Sequence, residues 1–358
     1  MRHTQVHIDL SALRDNLQQV RRLAPHSKVM AAIKANAYGH GLERVALALK
    51  GADGFGVACI DEALELRAVG ISQPITLLEG FFHADELPLA SQHALDLVIH
   101  HPYQVELLES HPPLDGGVKV WLKIDTGMHR LGVAPEQAQA LWQRIGQIAW
   151  LSPLGQMTHL ACADEPDSPM TQQQLSQFER ATAGLGGLKA IANSAGIIAW
   201  PQSHRDWVRP GIMLYGVSPM VGGRGAEHGL RPVMTLRSEL IAVKPVTAGE
   251  HIGYGATWQC PESMPIGVVA VGYGDGYPRH ARSGTPVLLN GREVPLIGRV
   301  SMDMLTVDLR SQPNAQIGDP VVLWGEGMPI ERIAEHADTI AYELLCGITR
   351  RVECVARG

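Results

Sequence analysis

The feature that most constrains this chain is a long alternation of short apolar segments with amphipathic segments. Eight apolar segments have the length of buried strands, at 29–33, 54–58, 75–78, 95–99, 118–124, 155–160, 188–192 and 212–215. The stretches between them place apolar residues at helical spacing, as at 42–50, 61–69, 103–110, 135–145 and 172–182. Eight such alternations suit a closed parallel barrel, whereas a doubly wound sheet usually stops near six strands. We therefore predict a (β/α)8 barrel of the TIM type over residues 11–228, with Ser11 as the N-cap of a helix at 12–23.

The pattern changes after a glycine-rich stretch at 220–225, which is a linker candidate. Alternating, β-rich segments follow at 235–243, 267–271, 285–289, 296–300, 305–308 and 320–323, and turn signals such as Asn290-Gly291 separate them. Only 330–337 and 340–346 have a helical pattern. We predict a second, mainly β domain over 229–358, which the N-terminal strand within 1–10 is expected to join.

Charge and cysteine content exclude several classes of protein. A net charge of -6 and a pI near 6.2 argue against nucleic acid or an anionic membrane as the main partner. The apolar runs are short and interrupted, and the N-terminus lacks a signal h-region, so we expect a cytoplasmic protein. Five scattered cysteines and sixteen histidines show no ligand spacing, so we expect reduced thiols and no metal.

The first predicted strand ends on a lysine, Lys34, followed by Tyr38, Gly39 and Gly41. A buried ammonium loses hydration, which lowers its pKa, and such lysines are often paired or act as nucleophiles toward carbonyls. The glycines allow the backbone and a phenol to approach an anion closely. The structural alternative is a strand-end lysine that reaches solvent or a carboxylate.

In a barrel of this kind, functional residues lie at the C-terminal ends of the strands, and phosphate often binds to the loops after strands seven and eight. Those loops contain Ser194, Gly211 and Ile212. A phosphorylated aldehyde bound there, within reach of Lys34, would form a Schiff base. This chemistry is that of pyridoxal 5'-phosphate.

Several further motifs occur together with these residues. They are AIKANAYGHG at 32–41, KIDTGMHRLG at 123–132, RPG at 209–211, GYG at 253–255, GYGDGY at 272–277 and SMD at 301–303. Through them the chain resembles the bacterial alanine racemase family along almost its full length. The resemblance implies a barrel with an added β domain, pyridoxal 5'-phosphate as cofactor, alanine as substrate, and a head-to-tail homodimer with shared active sites.

The resemblance also implies roles for individual residues. Lys34 resembles the lysine that holds the cofactor and serves as one of two acid/base groups. Tyr254 resembles the other, which reaches the opposite face of the substrate from the neighbouring subunit. Arg209 resembles the residue that faces the pyridine nitrogen, and His159 resembles the link between that arginine and the tyrosine.

The remaining roles that the resemblance implies concern binding. The cofactor phosphate contacts match Tyr38, Ser194, Gly211, Ile212 and Tyr342, the last in the AYEL stretch at 341–344. The substrate contacts match Arg130, Met302 and Asp303, with Tyr273 as a gate of the access channel. Lys123 aligns with a lysine that is carbamylated in many members, where the new anion orients the arginine that matches Arg130.

Each of these residues also has a structural interpretation. Tyr254 between two glycines could be a turn aromatic, and His159 a hydrogen-bonded core histidine. Arg209 could pair with Asp206 or neutralise a helix C-terminus. Asp275 is interpreted as a turn residue and is given no catalytic role.

Functions from three classes follow. The first is an alanine racemase, supplying D-alanine for peptidoglycan or serving alanine catabolism, with a broader or serine-preferring racemase as a variant because a hydroxyl adds only modest discrimination. The second is a pyridoxal-phosphate decarboxylase of the same barrel type, which carries a cysteine donor and an acidic partner for the pyridine nitrogen that Arg209 does not match. The third is a non-catalytic carrier of the cofactor, normally a lone barrel.

Overall fold

The computed structural model of the protein describes residues 3–112 and 116–358. The chain divides into two compact units. The first, called the barrel unit, comprises the described residues of Arg14–Leu214 together with Pro219–Val221. The second, called the β unit, comprises the described residues of Met1–Leu13 together with Tyr215–Ser218 and Gly222–Gly358. The domain limits drawn from the sequence stay a prediction.

The barrel unit is built on eight parallel strands that close into a barrel. In chain order the strands are Lys28–Ala32, Gly54–Val57, Ile75–Leu77, Leu95–Ile99, Val118–Lys123, Leu151–Met157, Leu188–Ala190 and Trp207–Val208. Each strand pairs with the next, and the eighth pairs with the first through Lys28 opposite Trp207 and Val29 opposite Val208. Because all strands run in one direction, their C-terminal ends meet at one mouth.

Helices connect most of these strands. They are Leu42–Ala48, Ile60–Ala68, Glu86–Gln92, Pro102–Ser110, Ala138–Gln147, Met170–Ala181 and Ser194–Ala199, with short 3-10 turns at Pro135–Gln137, Pro201–Ser203 and Ile212–Tyr215. A longer helix, Leu10–Leu23, precedes the first barrel strand. The prediction of Ser11 as its N-cap is wrong, because Ser11 lies inside the helix. The carboxylate of Asp9 caps the helix instead, accepting the Ser11 N–H at 2.8 Å and the Ala12 N–H at 2.9 Å.

The eighth strand differs from its prediction. Residues 212–215 form a 3-10 turn, and the strand is the two-residue Trp207–Val208. Pro210 has no N–H to donate, so the pairing with the first strand continues only through its carbonyl, which accepts the Ala32 N–H at 2.9 Å. Arg209 therefore directly follows the eighth strand, at the barrel mouth.

The barrel interior is filled by side chains. One buried cluster takes residues from six strands: Met30, Val98, Trp121, Met157, Ala190 and Trp207. At one seam the sixth and seventh strands approach so closely that only glycine fits. A Cβ added to Gly155 would lie 1.8 Å from the carbonyl oxygen of Leu188.

The β unit contains a single large sheet. Its strands, in spatial order, are Met264–Val269, Leu305–Asp308, Arg292–Ile297, Pro286–Leu289, Pro320–Trp324, Met234–Val246, Gln5–Asp9 and Glu353–Arg357. An additional antiparallel pairing joins Met264–Val269 to Met234–Val246, so the first six strands close on themselves. Gln5–Asp9 pairs antiparallel with Met234–Val246 and parallel with Glu353–Arg357.

Shorter elements complete the β unit. They are helices Ile330–His336 and Ala341–Cys346, the ribbon of His251–Ile252 with Trp258–Gln259, and 3-10 turns Gly225–His228, Tyr254–Ala256 and Tyr273–Asp275. In the core the ring of Tyr277 stacks on Trp324 with 5.8 Å between centroids. The two units together confirm the predicted fold class, a (β/α)8 barrel with a mainly β second region. Among the described residues, no helix is long and apolar enough to cross a membrane.

The close approach at Gly155 generates a stability prediction. Gly155→Ala should lower the free energy of unfolding by at least about 2 kcal/mol, because the new methyl overlaps backbone atoms that cannot rotate away. The measurement is urea unfolding followed by circular dichroism. Gly146→Ala is the matched control, since it lies in helix Ala138–Gln147 with no atom within 4 Å of the added Cβ, and it should stabilise by up to about 1 kcal/mol. Equal stability of Gly155→Ala and wild type would contradict the packing at this seam.

Candidate active site

The amine of Lys34 lies at the mouth of the barrel, two residues after the first strand. Its Nζ is 3.8 Å from Oε1 of Glu79, and both side chains are partly exposed. Glu79 follows the third strand, Ile75–Leu77, at the same mouth. Glu79 was not predicted as a site residue, although its position just after a barrel strand is one where functional residues lie.

Arg209 is the most deeply buried cation of the mouth, at 7% exposed. Its Nη2 donates to the carbonyl oxygens of Thr158 at 2.5 Å and Ile191 at 3.2 Å. Its Nη1 is buried and has no hydrogen-bond partner among the residues that the structure describes. Burial lowers the pKa of Arg209 to about 10, so the guanidinium stays charged at neutral pH. A buried charged donor without an acceptor is costly, so the site is suited to an acceptor from a bound molecule.

Lys123 ends the fifth strand and is also buried. Its pKa is lowered to about 8, mainly by burial and also by the nearby positive charges of Arg209, Arg130 and Lys34, whereas Glu79 opposes them. An ordinary lysine has a pKa of about 10.4. Lys123 therefore has a much larger uncharged fraction at neutral pH than a surface lysine.

His159 follows the sixth strand, two residues beyond Met157. Burial holds its pKa well below the ordinary value, and the charges of Arg209, Lys123, Arg130 and Lys34 act in the same direction. The imidazole is therefore neutral at physiological pH, with one nitrogen able to donate and the other to accept.

Two hydroxyl groups and a glycine lie together where the loops after the seventh and eighth strands meet. The Ser194 hydroxyl accepts the Gly211 N–H at 2.9 Å and the Met213 N–H at 3.4 Å. A Cβ added to Gly211 would lie 2.6 Å from the hydroxyl oxygen of Tyr38. The structure thus brings Tyr38, Ser194 and Gly211 together, with Ile212 at the start of the next turn. Two hydroxyl groups beside backbone amides are suited to form a cradle for an anion.

Arg130 lies in the loop after the fifth strand and is exposed. The loop is fixed by Asp125, whose Oδ1 accepts the Gly127 N–H at 2.9 Å and the His129 N–H at 3.0 Å. The positive charge of Arg130 lowers the pKa of both Lys123 and His159, so Arg130 belongs to the same cationic cluster.

The predicted site residues of the β unit lie in exposed turns. Tyr254 is 68% exposed and starts the turn Tyr254–Ala256. Gly253 and Gly255 flank it with φ of 73° and 72°, a conformation that glycine adopts without the steric cost of a Cβ. The phenol is therefore presented to solvent on a turn of fixed shape.

The turn of Tyr273 packs directly on the loop that carries Met302 and Asp303. The Tyr273 N–H donates to Ser301 O at 3.1 Å, and the Gly274 N–H donates to Met302 O at 2.8 Å. Arg351, which the sequence analysis missed, joins the two by pairing with Asp303 at 2.5 Å and with Asp275 at 2.9 Å. Asp275 is thus a buried partner of an arginine as well as a turn residue.

Tyr342 is half-buried on helix Ala341–Cys346. All five cysteines are free thiols. Among residues 3–112 and 116–358, no group of three or more histidine, cysteine, aspartate or glutamate side chains could hold a metal ion.

The residues at the barrel mouth fit a phosphorylated aldehyde. The mouth offers a primary amine for the aldehyde, an amide and hydroxyl cradle for the phosphate, and the unsatisfied Nη1 of Arg209 for an acceptor on the ring. The surrounding cations favour an anionic ligand.

Comparison with known proteins gives consistent matches over both units. The family profiles described as alanine racemase, N-terminal domain, and alanine racemase, C-terminal domain, match residues 8–219 and 233–356. The alanine racemase of Shewanella denitrificans is 55% identical over 350 residues, 96% of each chain. That of Coxiella burnetii is 54% identical over 354 residues, 97% of each chain.

Solved structures agree with these sequence matches. The crystal structure of the biosynthetic alanine racemase from Pseudomonas aeruginosa has a TM-score of 0.97 at 47% identity, with 100% of both chains covered. The structure of the enzyme from Acinetobacter baumannii has a TM-score of 0.95 at 40% identity, also with 100% of both chains covered.

The lowered pKa of Lys123 predicts a pH-dependent stability. Since its folded pKa of about 8 lies below the unfolded value of 10.5, the unfolded state binds more protons between these values, and stability rises with pH there. Well below pH 8 Lys123 is charged in the folded state, and the full cost of burying that charge lowers the stability. At pH 7 and in the absence of carbon dioxide, the free energy of unfolding of Lys123→Met should therefore exceed that of wild type, by at most about 3 kcal/mol.

This difference should shrink as the pH rises from 8 to 10.5, and urea unfolding at several pH values measures it. Lys50→Met, at an exposed lysine, is the control and should show no such trend. A difference between Lys123→Met and wild type that is constant with pH would rule out the lowered pKa.

Proposed function

The chain belongs to the alanine racemase family and is an enzyme of it, and from this premise we propose that it interconverts L-alanine and D-alanine with pyridoxal 5'-phosphate as cofactor. The observation that carries the proposal is the barrel mouth itself. There the amine of Lys34, the unsatisfied guanidinium nitrogen of Arg209 and the cradle around Gly211 lie on neighbouring strand ends.

Pyridoxal 5'-phosphate would supply an electron sink that acidifies the Cα–H of an attached amino acid. Lys34 would hold its aldehyde carbon, and Tyr38, Ser194, Gly211 and Ile212 would bind its phosphate. Tyr342 is proposed as a further phosphate contact on the strength of the family resemblance alone.

Arg209 has a distinct role at the ring nitrogen. A guanidinium with a pKa of about 10 donates a hydrogen bond and does not transfer its proton at neutral pH. The ring nitrogen would therefore remain unprotonated, which weakens the electron sink and limits side reactions. His159 is neutral for the electrostatic reasons given above, so it can link Arg209 to a phenol without adding charge.

We propose that proton transfer uses two groups on opposite faces of Cα. Lys34 serves one face, and Tyr254 of the partner subunit serves the other, so the functional enzyme is a homodimer with shared sites. The 68% exposure of Tyr254 in the isolated chain is consistent with a phenol that becomes enclosed on assembly. Met302, Asp303 and Tyr273 are proposed to contribute from the same side, as substrate contacts and gate.

Arg130 is the proposed partner of the substrate carboxylate, and Lys123 is the proposed site of carbamylation. The reaction joins the uncharged Lys123 nitrogen to carbon dioxide and releases one proton. A lysine with a pKa of about 8 has the uncharged amine available, and neighbouring cations stabilise the resulting anion. The carbamate would then orient Arg130 in place of repelling it.

The physiological role is proposed from the reaction. D-alanine would serve peptidoglycan synthesis, or the enzyme would take part in alanine catabolism, and a cytoplasmic location remains a prediction from the sequence.

Incubation with L-alanine tests the function directly. The purified protein with pyridoxal 5'-phosphate should convert L-alanine to an equal mixture of both enantiomers, measured by chiral chromatography, without release of carbon dioxide. Borohydride reduction should fix the cofactor on the peptide that contains Lys34. Lys34→Ala should be inactive, whereas Lys50→Ala should retain activity. Carbon dioxide release would indicate a decarboxylase, and trapping at Lys123 would refute the assignment of Lys34.

Tyr254→Phe tests the two-base scheme. Because the phenol is proposed to act on only one face, the variant should exchange the Cα proton of L-alanine at least about a hundredfold more slowly, with a much smaller effect on D-alanine. The measurement is deuterium incorporation by mass spectrometry for each enantiomer. Tyr103→Phe, at an exposed tyrosine on helix Pro102–Ser110, is the control.

Mixed subunits test whether the site is shared. Dimers of one Lys34→Ala chain and one Tyr254→Phe chain contain one site with both groups intact, so activity should partly return. Mixed dimers that are confirmed by mass and stay inactive would refute the shared site. In the preceding experiment, an equal loss of exchange for both enantiomers in Tyr254→Phe would refute the two-base scheme.

A further inference from the structure

The four residues after Lys34 form a left-handed turn, which L-amino acids strongly disfavour. The φ angles of Ala35, Asn36, Ala37 and Tyr38 are 54°, 53°, 52° and 48°, and the ψ angles of the first three are 54°, 43° and 54°. None of these residues is glycine. Isolated residues with positive φ occur in many proteins, but consecutive ones are rare because the Cβ of each approaches the following carbonyl oxygen. Such a turn persists only where the surrounding structure fixes it.

Glu62 fixes the beginning of this turn. One carboxylate oxygen accepts the Ala35 N–H at 2.7 Å, and the other accepts the Ala58 N–H at 2.8 Å. Glu62 lies on helix Ile60–Ala68, and Ala58 directly follows the second barrel strand. The carboxylate therefore ties the residue after Lys34 to the end of the neighbouring strand. Hydrogen bonds from amides to a charged acceptor are stronger than those between neutral groups.

His40 fixes the end of the turn. Its ring is completely buried, and Nδ1 lies 2.9 Å from Tyr38 O and 3.1 Å from Ala37 O. Both partners are carbonyl oxygens, which only accept, so Nδ1 carries the proton. Asn36 adds a third contact, because its side-chain oxygen accepts the Leu42 N–H at 2.9 Å.

The turn separates two groups of the proposed active site. Lys34 immediately precedes it, and Tyr38, its last residue, places a hydroxyl against Gly211. A right-handed path over the same residues would send the chain in a different direction after Lys34. The left-handed conformation thus determines where the phenol lies relative to the amine.

We propose that Glu62 and His40 are positioning residues that hold the left-handed turn and so set Lys34 and Tyr38 at the spacing that a phosphorylated aldehyde requires. Glu62 and His40 act on backbone groups of the turn, and neither is among the residues proposed to bind the cofactor. The inference rests on the proposed function, because it assumes that Lys34 and Tyr38 bind pyridoxal 5'-phosphate.

Binding of the cofactor to the full-length, cofactor-free protein tests the role of Glu62. Glu62→Gln keeps one acceptor but points an NH2 group at the second amide, and Glu62→Ala removes both acceptors. The dissociation constant for pyridoxal 5'-phosphate, measured by visible absorbance, should rise about tenfold in Glu62→Gln and further in Glu62→Ala, a tenfold change being 1.4 kcal/mol. Glu65→Gln, at an exposed glutamate of the same helix, should bind like wild type.

A rescue variant separates positioning from general stability. Ala35 is exposed, so Ala35→Gly removes no packing, and glycine adopts positive φ without a Cβ clash. Added to Glu62→Ala, Ala35→Gly should recover part of the lost affinity. Ala48→Gly, in the right-handed helix Leu42–Ala48, should recover none.

The role of His40 is tested by moving the nitrogen that donates to the carbonyl oxygens of Ala37 and Tyr38. His40→Asn places an amide nitrogen near the Nδ1 position, whereas His40→Gln places it near Nε2. The asparagine variant should therefore bind the cofactor more tightly than the glutamine variant. The unfolding midpoint of each variant is measured in parallel.

The outcomes separate this inference from the proposed function. If wild type does not bind pyridoxal 5'-phosphate through Lys34, the proposed function fails. If wild type binds it while the Glu62 variants keep the wild-type dissociation constant, or lose only unfolding stability, the positioning role is overturned. Equal recovery with Ala35→Gly and Ala48→Gly would overturn it as well.

Discussion

The barrel mouth depends on one electrostatic constraint, which is that two buried cations lie close to two further cations with few anions to compensate them. Arg209 and Lys123 are buried, and Lys34 and Arg130 add their charges from the rim. Glu79 is the one carboxylate that acts on both Lys34 and Lys123 within the described residues of this cluster. Burying like charges together is unfavourable. A site with this charge is suited to anions, and the phosphate and the carboxylate of the proposed ligands are groups of that kind.

The fold supplies the rigidity that such a cluster requires. Closing eight strands into a barrel brings residues that are distant in the sequence to one rim, and the packed interior prevents them from moving apart to reduce their repulsion. Arg209 illustrates this, since its guanidinium is held by carbonyl oxygens that follow the sixth and seventh strands. The close seam at Gly155 and the left-handed turn after Lys34 are further points where the backbone has a restricted geometry.

The sequence was sufficient to predict the features that follow from hydrophobic periodicity or from the position of a residue at the end of a strand. The barrel and the β-rich region follow from alternating apolar segments, and Lys34 was singled out because it ends a predicted strand. The eighth strand was misplaced because Trp207–Val208 is too short to show a strand pattern, whereas 212–215 is a longer apolar run. Glu62 and His40 were missed for a different reason. Their partners are backbone groups of a left-handed turn without glycine, which no local rule anticipates, and the roles of Tyr254, Met302 and Asp303 came from family resemblance alone.

The two buried cations differ in whether they can lose their charge. Arg209 has a pKa of about 10 and Lys123 a pKa of about 8, so only Lys123 has a substantial uncharged fraction under physiological conditions. Carbamylation, as proposed, would take Lys123 from one positive charge to one negative charge. That change of two charges would relieve the repulsion on Arg130 and allow it to approach the substrate carboxylate. The same burial that makes a lysine costly at this position would therefore make it reactive, and the modified side chain would compensate the neighbouring positive charges that help to lower its pKa.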